Sequence, residues 1–84
     1  MTVQYTEDFF KDFEKLPKEI RGIFKKQEKI FAENWLDPRL HTKRVKELSG
    51  CFSFRITRRY RVFFYFREGE TIFFKIGHRK DVYK

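Results

Sequence analysis

The sequence has a single cysteine, Cys51, in 84 residues, together with only two prolines and four glycines. One cysteine cannot form an internal disulfide, so we expect a protein of the reducing cytoplasm. The sequence also lacks an apolar run at its N-terminus and any apolar stretch near the roughly 20 residues that a membrane-spanning helix needs. We therefore expect neither secretion nor membrane insertion.

Motifs for metals and nucleotide cofactors are missing as well. The cysteine and the two histidines do not have the spacing of a zinc site, and there is no glycine-rich phosphate loop. Repeats and low-complexity segments are absent. We expect no cofactor and no bound metal ion.

Acidic residues are few compared with basic ones, at 12 Asp and Glu against 20 Lys and Arg, which gives a formal net charge of +8. So basic a surface favours an acidic partner, and nucleic acid, an acidic protein segment and an anionic membrane are the candidates. A simply solvated surface is the alternative. Aromatic residues are abundant at 20%, and the twelve phenylalanines can form the core of one small domain over residues 1–84.

The hydrophobic pattern predicts an α+β fold. Residues 2–5 alternate as a strand, Thr6 can cap a first helix, and a second helix with an apolar stripe follows Pro17. After a connection, four strands are predicted at residues 44–48, 52–57, 60–67 and 70–76. Because their turns are short, we expect a β-α-α-β-β-β-β order, with the first strand and the helical hairpin packed on one face of an antiparallel sheet.

Side chains alternate along a strand, so the parity of positions assigns the two faces of the sheet. The face beneath the helices is expected to be apolar and to contain Phe52, Phe54, Ile56, Tyr60, Val62, Phe64, Phe66, Ile72, Phe74 and Ile76. The opposite face is expected to stay open and to mix cations with rings: Ser53, Arg55, Thr57, Arg59, Arg61, Phe63, Tyr65, Arg67, Phe73 and Lys75.

This mixed face is suited to single-stranded RNA, because guanidinium groups bind phosphates and aromatic rings stack on bases. The candidates for RNA binding are Arg59, Arg67, Lys75, Tyr65 and Phe63. The alternative is that the rings only pack against a thin sheet.

The C-terminal segment KIGHRKDVYK adds candidates for chemistry at the edge of the same face. Cleavage of RNA needs removal of the 2′-hydroxyl proton, neutralisation of charge on the phosphorane and protonation of the leaving 5′-oxygen. Arg79 can neutralise charge, His78 can serve in either proton role, and neighbouring arginines favour the phenolate form of Tyr83. A structural role is the alternative for His78 and Tyr83.

The segments KELSGCFSFRI, YRVFFYF and IFFKIGHRKDVYK together resemble the RelE/ParE superfamily of toxins from type II toxin–antitoxin systems, over nearly the whole chain. The resemblance implies a toxin that a cognate antitoxin protein restrains. For the RelE-like branch it implies a metal-independent endoribonuclease, an mRNA interferase, that enters the ribosomal A site among ribosomal RNA and cleaves mRNA by attack of a 2′-oxygen, which inhibits translation.

The resemblance also implies roles for individual residues. Arg61 corresponds to the arginine that contacts the scissile phosphate. Arg55 is the nearest equivalent of a basic residue on the preceding strand that stabilises charge or assists proton transfer. Arg79 corresponds to a basic residue that stabilises the transition state, and Tyr83 to a tyrosine that stacks on or orients the attacked nucleotide.

The sequence departs from the RelE pattern where such enzymes often carry lysines, because Ser53 and Arg55 stand there. Arginine is a poor proton acceptor since it stays charged, so one expected base is missing, and His78 is the proposed replacement. Two other functions stay open. A ParE-like protein would inhibit DNA gyrase without nuclease chemistry, and a degenerate toxin would bind RNA without cleaving it.

Overall fold

The computed structural model describes the backbone of residues 2–82 and the side chains of residues 2–80. The fold is α+β, as the sequence predicts. Its elements are β1 (Thr2–Tyr5), α1 (Glu7–Glu14), α2 (Lys18–Glu33), a 3₁₀ turn (Pro38–Leu40), β2 (Lys43–Arg44), β3 (Cys51–Arg55), β4 (Tyr60–Arg67), β5 (Glu70–His78) and α3 (Arg79–Val82).

Local signals in the sequence fix the start of each long helix. The hydroxyl of Thr6 accepts a hydrogen bond of 3.1 Å from the backbone N–H of Phe9 and so caps α1. The backbone N–H of Thr6 donates to the carbonyl of Phe73, at 3.0 Å, which ties this cap to the sheet. Helix α2 begins directly after Pro17 and buries Phe24 and Phe31 on the side that faces the strands.

The five strands lie in the order β1-β5-β4-β3-β2. Three hairpins pair β2 through β5 antiparallel, whereas β1 pairs parallel with β5. The sheet is therefore mixed, although the sequence predicts antiparallel pairing throughout. The physical reason is that the helical connection carries the chain across the sheet to its far edge, and the hairpins then return β5 to the side of β1.

An irregularity between β4 and β5 changes which rings face the helices. Phe63 lies opposite Lys75, but Phe64 lies opposite Phe73, so Phe74 has no partner of its own. One extra residue reverses the alternation of the strand beyond it. The faces assigned to Phe73 and Phe74 are therefore wrong: Phe73 is fully buried in the core, and Phe74 packs on the other face.

The same reversal places Ile72, expected beneath the helices, opposite Tyr65 on the outer face. Ile76 lies on the other side of the irregularity, so its face is the one expected. It is in the core, with 1% of it exposed.

The core lies between the two long helices and the inner face of the sheet. The ring centroid of Phe31 on α2 lies 4.9 Å from the ring centroids of Phe54 and Phe64 and 5.2 Å from that of Phe73. Such pairs add to the free energy gained by burial, so three adjacent strands are fixed against one helix. Neither α1, α2 nor any other described helix has the length and apolar character to cross a membrane.

Candidate functional site

Arg61 projects from β4 on the face of the sheet that the helices leave uncovered, yet only 6% of it is exposed. Its Nε donates a hydrogen bond of 2.9 Å to the hydroxyl of Ser53, and its Nη2 donates one of 2.9 Å to the backbone carbonyl of His41. The expectation of an open position is therefore wrong for Arg61, because the segment leading into β2 folds over its guanidinium.

Five cations surround one pocket of about 260 Å³ at this end of the sheet, and no acidic residue is among the described residues that line it. We call it the basic pocket, and its lining consists of Lys43, Arg55, Arg58, Arg61 and Arg79. Arg61 is the buried member, whereas the side chains of Lys43, Arg58 and Arg79 are exposed at the rim. Three of the predicted catalytic residues, Arg55, Arg61 and Arg79, thus lie together.

Long-range contacts assemble the basic pocket. Arg55 lies directly opposite Arg61 across the β3–β4 pair, and the buried Gln27 of α2 donates to the carbonyl of Arg55 at 3.0 Å. The backbone N–H of Arg79 donates to the carbonyl of Arg59 at 2.6 Å, which holds α3 against the β3–β4 turn. Like charges directly opposite each other in a sheet are destabilising, so this arrangement favours binding of an anion.

The Nε atom of Arg55 gives this preference a specific location. It is buried, and it has no hydrogen-bond partner within the described part of the chain. A buried donor left unsatisfied costs about 1–3 kcal/mol. An anionic oxygen bound in the basic pocket can accept this hydrogen bond, and phosphate suits the geometry of guanidinium groups.

Lys43 also lines the basic pocket, although the sequence pattern did not predict it there. The charge of Arg61, and to a smaller extent desolvation and the charges of Arg55 and Arg79, lower the pKa of Lys43 from its usual value of 10.5, and Glu47 opposes the shift. The available signal was the pair of cations at the start of the strand after the connection. That signal is weak, because β2 has only two residues.

His78 lies beside the basic pocket and is not part of its lining. It ends β5 opposite Tyr60, with the two rings 5.3 Å apart, and its Nδ1 accepts a hydrogen bond of 3.1 Å from the backbone N–H of Lys80. It lines a neighbouring pocket of about 570 Å³ with Arg58, Arg59, Arg79 and Lys80. Arg58 and Arg79 line both pockets, so the two lie side by side.

The structure does not gather all predicted RNA-binding residues at this site. Phe63 is only 3% exposed, so its ring is not available for stacking on a base, and Arg67 lies at the far end of β4, about 20 Å along the strand from Arg61. Tyr65 is half-buried and packs on Phe74 with ring centroids 5.5 Å apart. These positions place Phe63 and Arg67 outside the site.

Two further residues predicted to bind RNA, Lys75 and Arg59, lie outside the lining of the basic pocket. Lys75 forms an ion pair of 3.7 Å with Asp12 of α1, so its charge is partly compensated. Arg59 lies in the pocket next to the basic pocket. Tyr83, the predicted aromatic contact to the nucleotide, lies outside the described residues.

Comparisons with known proteins agree with this architecture. The sequence profile of the ParE toxin of type II toxin–antitoxin systems, parDE, matches residues 3–83. A chain in the RelB–RelE antitoxin–toxin complex from Methanococcus jannaschii is 27% identical with a TM-score of 0.78, over 96% of this chain and 95% of that chain. Curated protein sequences include no significant match.

More distant structures share the fold alone. The YoeB/ParE toxin from Agrobacterium tumefaciens is 14% identical with a TM-score of 0.77, over 94% of this chain and 99% of that chain. The E. coli DinJ–YafQ toxin–antitoxin complex contains a chain that is 11% identical with a TM-score of 0.80, over 98% of this chain and 96% of that chain.

Two helices packed on one face of a five-stranded mixed sheet form the α+β fold of RelE-like toxins. The chain belongs to the ParE toxin family of type II toxin–antitoxin systems. It is a toxin component of such a system.

Proposed function

We propose that the protein is a ribosome-dependent endoribonuclease that cleaves mRNA without a metal ion. The observation that carries this proposal is the basic pocket, in which Arg55, Arg61 and Arg79 line one hollow and the buried Nε of Arg55 has no partner among the described residues. The 27% identity to a RelE toxin chain supports the same branch.

In the proposed reaction the 2′-oxygen of a nucleotide forms a bond to the adjacent phosphorus, and the bond from phosphorus to the 5′-oxygen breaks. The products are a 2′,3′-cyclic phosphate and a 5′-hydroxyl. Charge accumulates on the non-bridging oxygens of the phosphorane, and preorganised cations at that position stabilise the transition state. Arg55, Arg61 and Arg79 supply them, with Arg61 fixed in place by Ser53 and His41.

The pocket next to the basic pocket is proposed to bind flanking RNA. Arg58 and Arg79 line both pockets, and Arg59 and Lys80 continue the line of cations. His78, which lines that second pocket, is proposed to exchange a proton with the leaving 5′-oxygen. Tyr83 is proposed to orient the attacked nucleotide. Tyr65 and Lys75 remain candidates for contacts to more distant parts of the mRNA.

The proposed partner in the resting state is a cognate antitoxin with an acidic segment. Two of the similar structures are toxin–antitoxin complexes. Five cations around one pocket attract carboxylates as they attract phosphates. An antitoxin segment that covers this pocket would inhibit the toxin by excluding mRNA.

The second candidate function is inhibition of DNA gyrase by binding, and the match to the ParE toxin profile favours it. The two functions differ in a simple assay. Purified protein should leave gyrase supercoiling unchanged if it is a nuclease, and it should inhibit supercoiling if it is a gyrase inhibitor.

Primer extension on cellular mRNA after induction tests the nuclease directly. We expect growth arrest with new 5′ ends inside translated codons, and we expect Arg79→Ala to abolish both. Lys26→Ala, which removes an exposed cation from α2, is the matched control and should behave like the wild type. Growth arrest with intact mRNA contradicts the proposal, and harmless expression supports an RNA-binding module without activity.

A further inference from the structure

We propose that Lys43 accepts the proton from the attacking 2′-hydroxyl, and this inference rests on the proposed nuclease function. The neutral amine of Lys43 takes the hydroxyl proton as the 2′-oxygen bonds to phosphorus. The electron pair of the breaking bond stays on the 5′-oxygen, which receives a proton from a second group. The ammonium of Lys43 then gives its proton to water and the second group takes one from water, so the protein is unchanged after the cycle.

The register of the sheet places Lys43 on the face that carries the basic pocket. Lys43 on β2 lies directly opposite Ser53 on β3, and side chains that oppose each other in an antiparallel pair point to the same face. The hydroxyl of Ser53 in turn accepts the hydrogen bond from Arg61. Lys43 therefore occupies the same side of the sheet as the buried guanidinium.

A comparison of the lining residues as proton acceptors also leads to Lys43. The other cations of the lining are Arg55, Arg58, Arg61 and Arg79, and an arginine stays protonated throughout the range in which proteins work. No carboxylate and no histidine is found among the described residues that line this pocket. Lys43 is thus the lining residue of the described chain that can both lose and accept a proton.

The charges around Lys43 favour its neutral form. Arg61 faces it from β4, Arg55 from β3 and Arg79 from α3, and all three lower the pKa of Lys43, whereas Glu47 of the following turn raises it. Arg58 completes the cationic wall. Neighbouring cations activate a lysine because they make the ammonium form unfavourable.

The test uses purified full-length protein on ribosomes programmed with mRNA, with single-turnover cleavage rates measured across neutral and alkaline pH. Lys43→Arg keeps the charge but removes the proton acceptor. We expect it to lower the rate by about 10²- to 10⁴-fold and to abolish the rise of rate with pH, while binding to ribosomes is retained. Lys46→Arg, at an exposed turn position three residues further on, is the matched control and should keep the wild-type rate and profile.

The outcomes separate the inference from the function on which it rests. If the wild type cleaves mRNA and Lys43→Arg keeps its rate and its pH profile, Lys43 only supplies charge and the inference is wrong. If His78→Gln rather than Lys43→Arg removes the rising limb, the base is His78. If the wild type does not cleave on ribosomes at all, the proposed function fails, and the inference fails with it.

A second measurement does not need activity. Titration of the lysine side chains by NMR in the isolated protein should give Lys43 a pKa below the usual lysine value of 10.5, and Arg79→Ala should raise the pKa of Lys43 because one cation is removed. An ordinary pKa for Lys43, unchanged in Arg79→Ala, would overturn the inference.

Discussion

The guanidinium of Arg61 is hydrogen-bonded to the hydroxyl of Ser53 across the β3–β4 pair, at 2.9 Å, on the face of the sheet opposite the helices. This contact and the one to the carbonyl of His41 turn an arginine into a buried, fixed group. A fixed cation stabilises developing charge without reorganising. The same contacts mean that Arg61 also contributes to folding, so its two roles have to be measured separately.

Arg61→Ala should affect both activity and stability. We expect mRNA cleavage to fall by about 10²- to 10³-fold, the usual cost of removing a preorganised donor. We also expect a loss of about 1–3 kcal/mol in the free energy of unfolding, because Ser53 and the carbonyl of His41 lose their donor. Chemical denaturation and primer extension measure the two effects.

Ser53→Ala is the matched variant for Arg61, because it removes the acceptor and keeps the guanidinium. It should lower stability by a similar amount, about 1–3 kcal/mol, while retaining more cleavage than Arg61→Ala. Unchanged cleavage by a folded Arg61→Ala protein would show that Arg61 takes no part in the reaction.

The irregularity in β5 predicts opposite outcomes for two neighbouring phenylalanines. Phe73→Ala should destabilise the fold by about 3–5 kcal/mol, since Phe73 is fully buried among rings of both helices and three other strands. Phe74→Ala should cost clearly less, because Phe74 is half-buried on the outer face. Phe64→Ala, also fully buried, is the reference for a core truncation. Equal losses for Phe73 and Phe74 would contradict the register.

The β4–β5 turn contains a residue that can be improved. Glu68 and Gly69 form a two-residue hairpin loop with φ values of 49° and 81°. Glutamate is strained in the left-handed region, whereas asparagine tolerates it. Glu68→Asn should therefore raise the free energy of unfolding by roughly 1 kcal/mol. Glu68→Ala keeps the strain and should give no such gain, so equal stabilisation by both variants would contradict this explanation.

Stability should fall at alkaline pH because of Tyr5. Burial, and then the hydrogen bond and charge of Glu28, raise the pKa of Tyr5 above its ordinary value of 10.0. The folded state therefore holds this proton more tightly than the unfolded chain does. The contribution of Tyr5 to the free energy of unfolding is fully present below about pH 10 and is lost as pH rises towards the folded-state pKa.

Denaturation of wild type and Tyr5→Phe across this range measures the effect as a difference, which cancels the titration of other groups. We expect a shallower alkaline decline in Tyr5→Phe. Glu28→Gln should reduce the decline only in part, because burial is the largest cause of the shift and remains. Parallel curves for wild type and Tyr5→Phe would exclude Tyr5 as the origin.

Much of the site was accessible from the sequence. The alternation along β3 and β4 placed Arg55 and Arg61 on the same face, and the position of Arg79 just after the last strand placed it nearby; the structure puts all three around one pocket. Lys43 could not be found in this way, because β2 has two residues and carries no periodicity. The position of Lys43 depends on pairing with Ser53, ten residues further along the chain.

The sequence by itself determined the α+β class, the helical hairpin with its Thr6 cap, the excess of positive charge and the strand positions from which most of the cations project. These follow from local rules, namely apolar periodicity, capping residues and side-chain alternation, which act within a few residues. Only the tertiary structure decided that Phe73 points inward, that Arg61 is buried and that Lys43 joins the arginines. Each of these depends on the register and hydrogen bonds between distant segments, which no local pattern encodes.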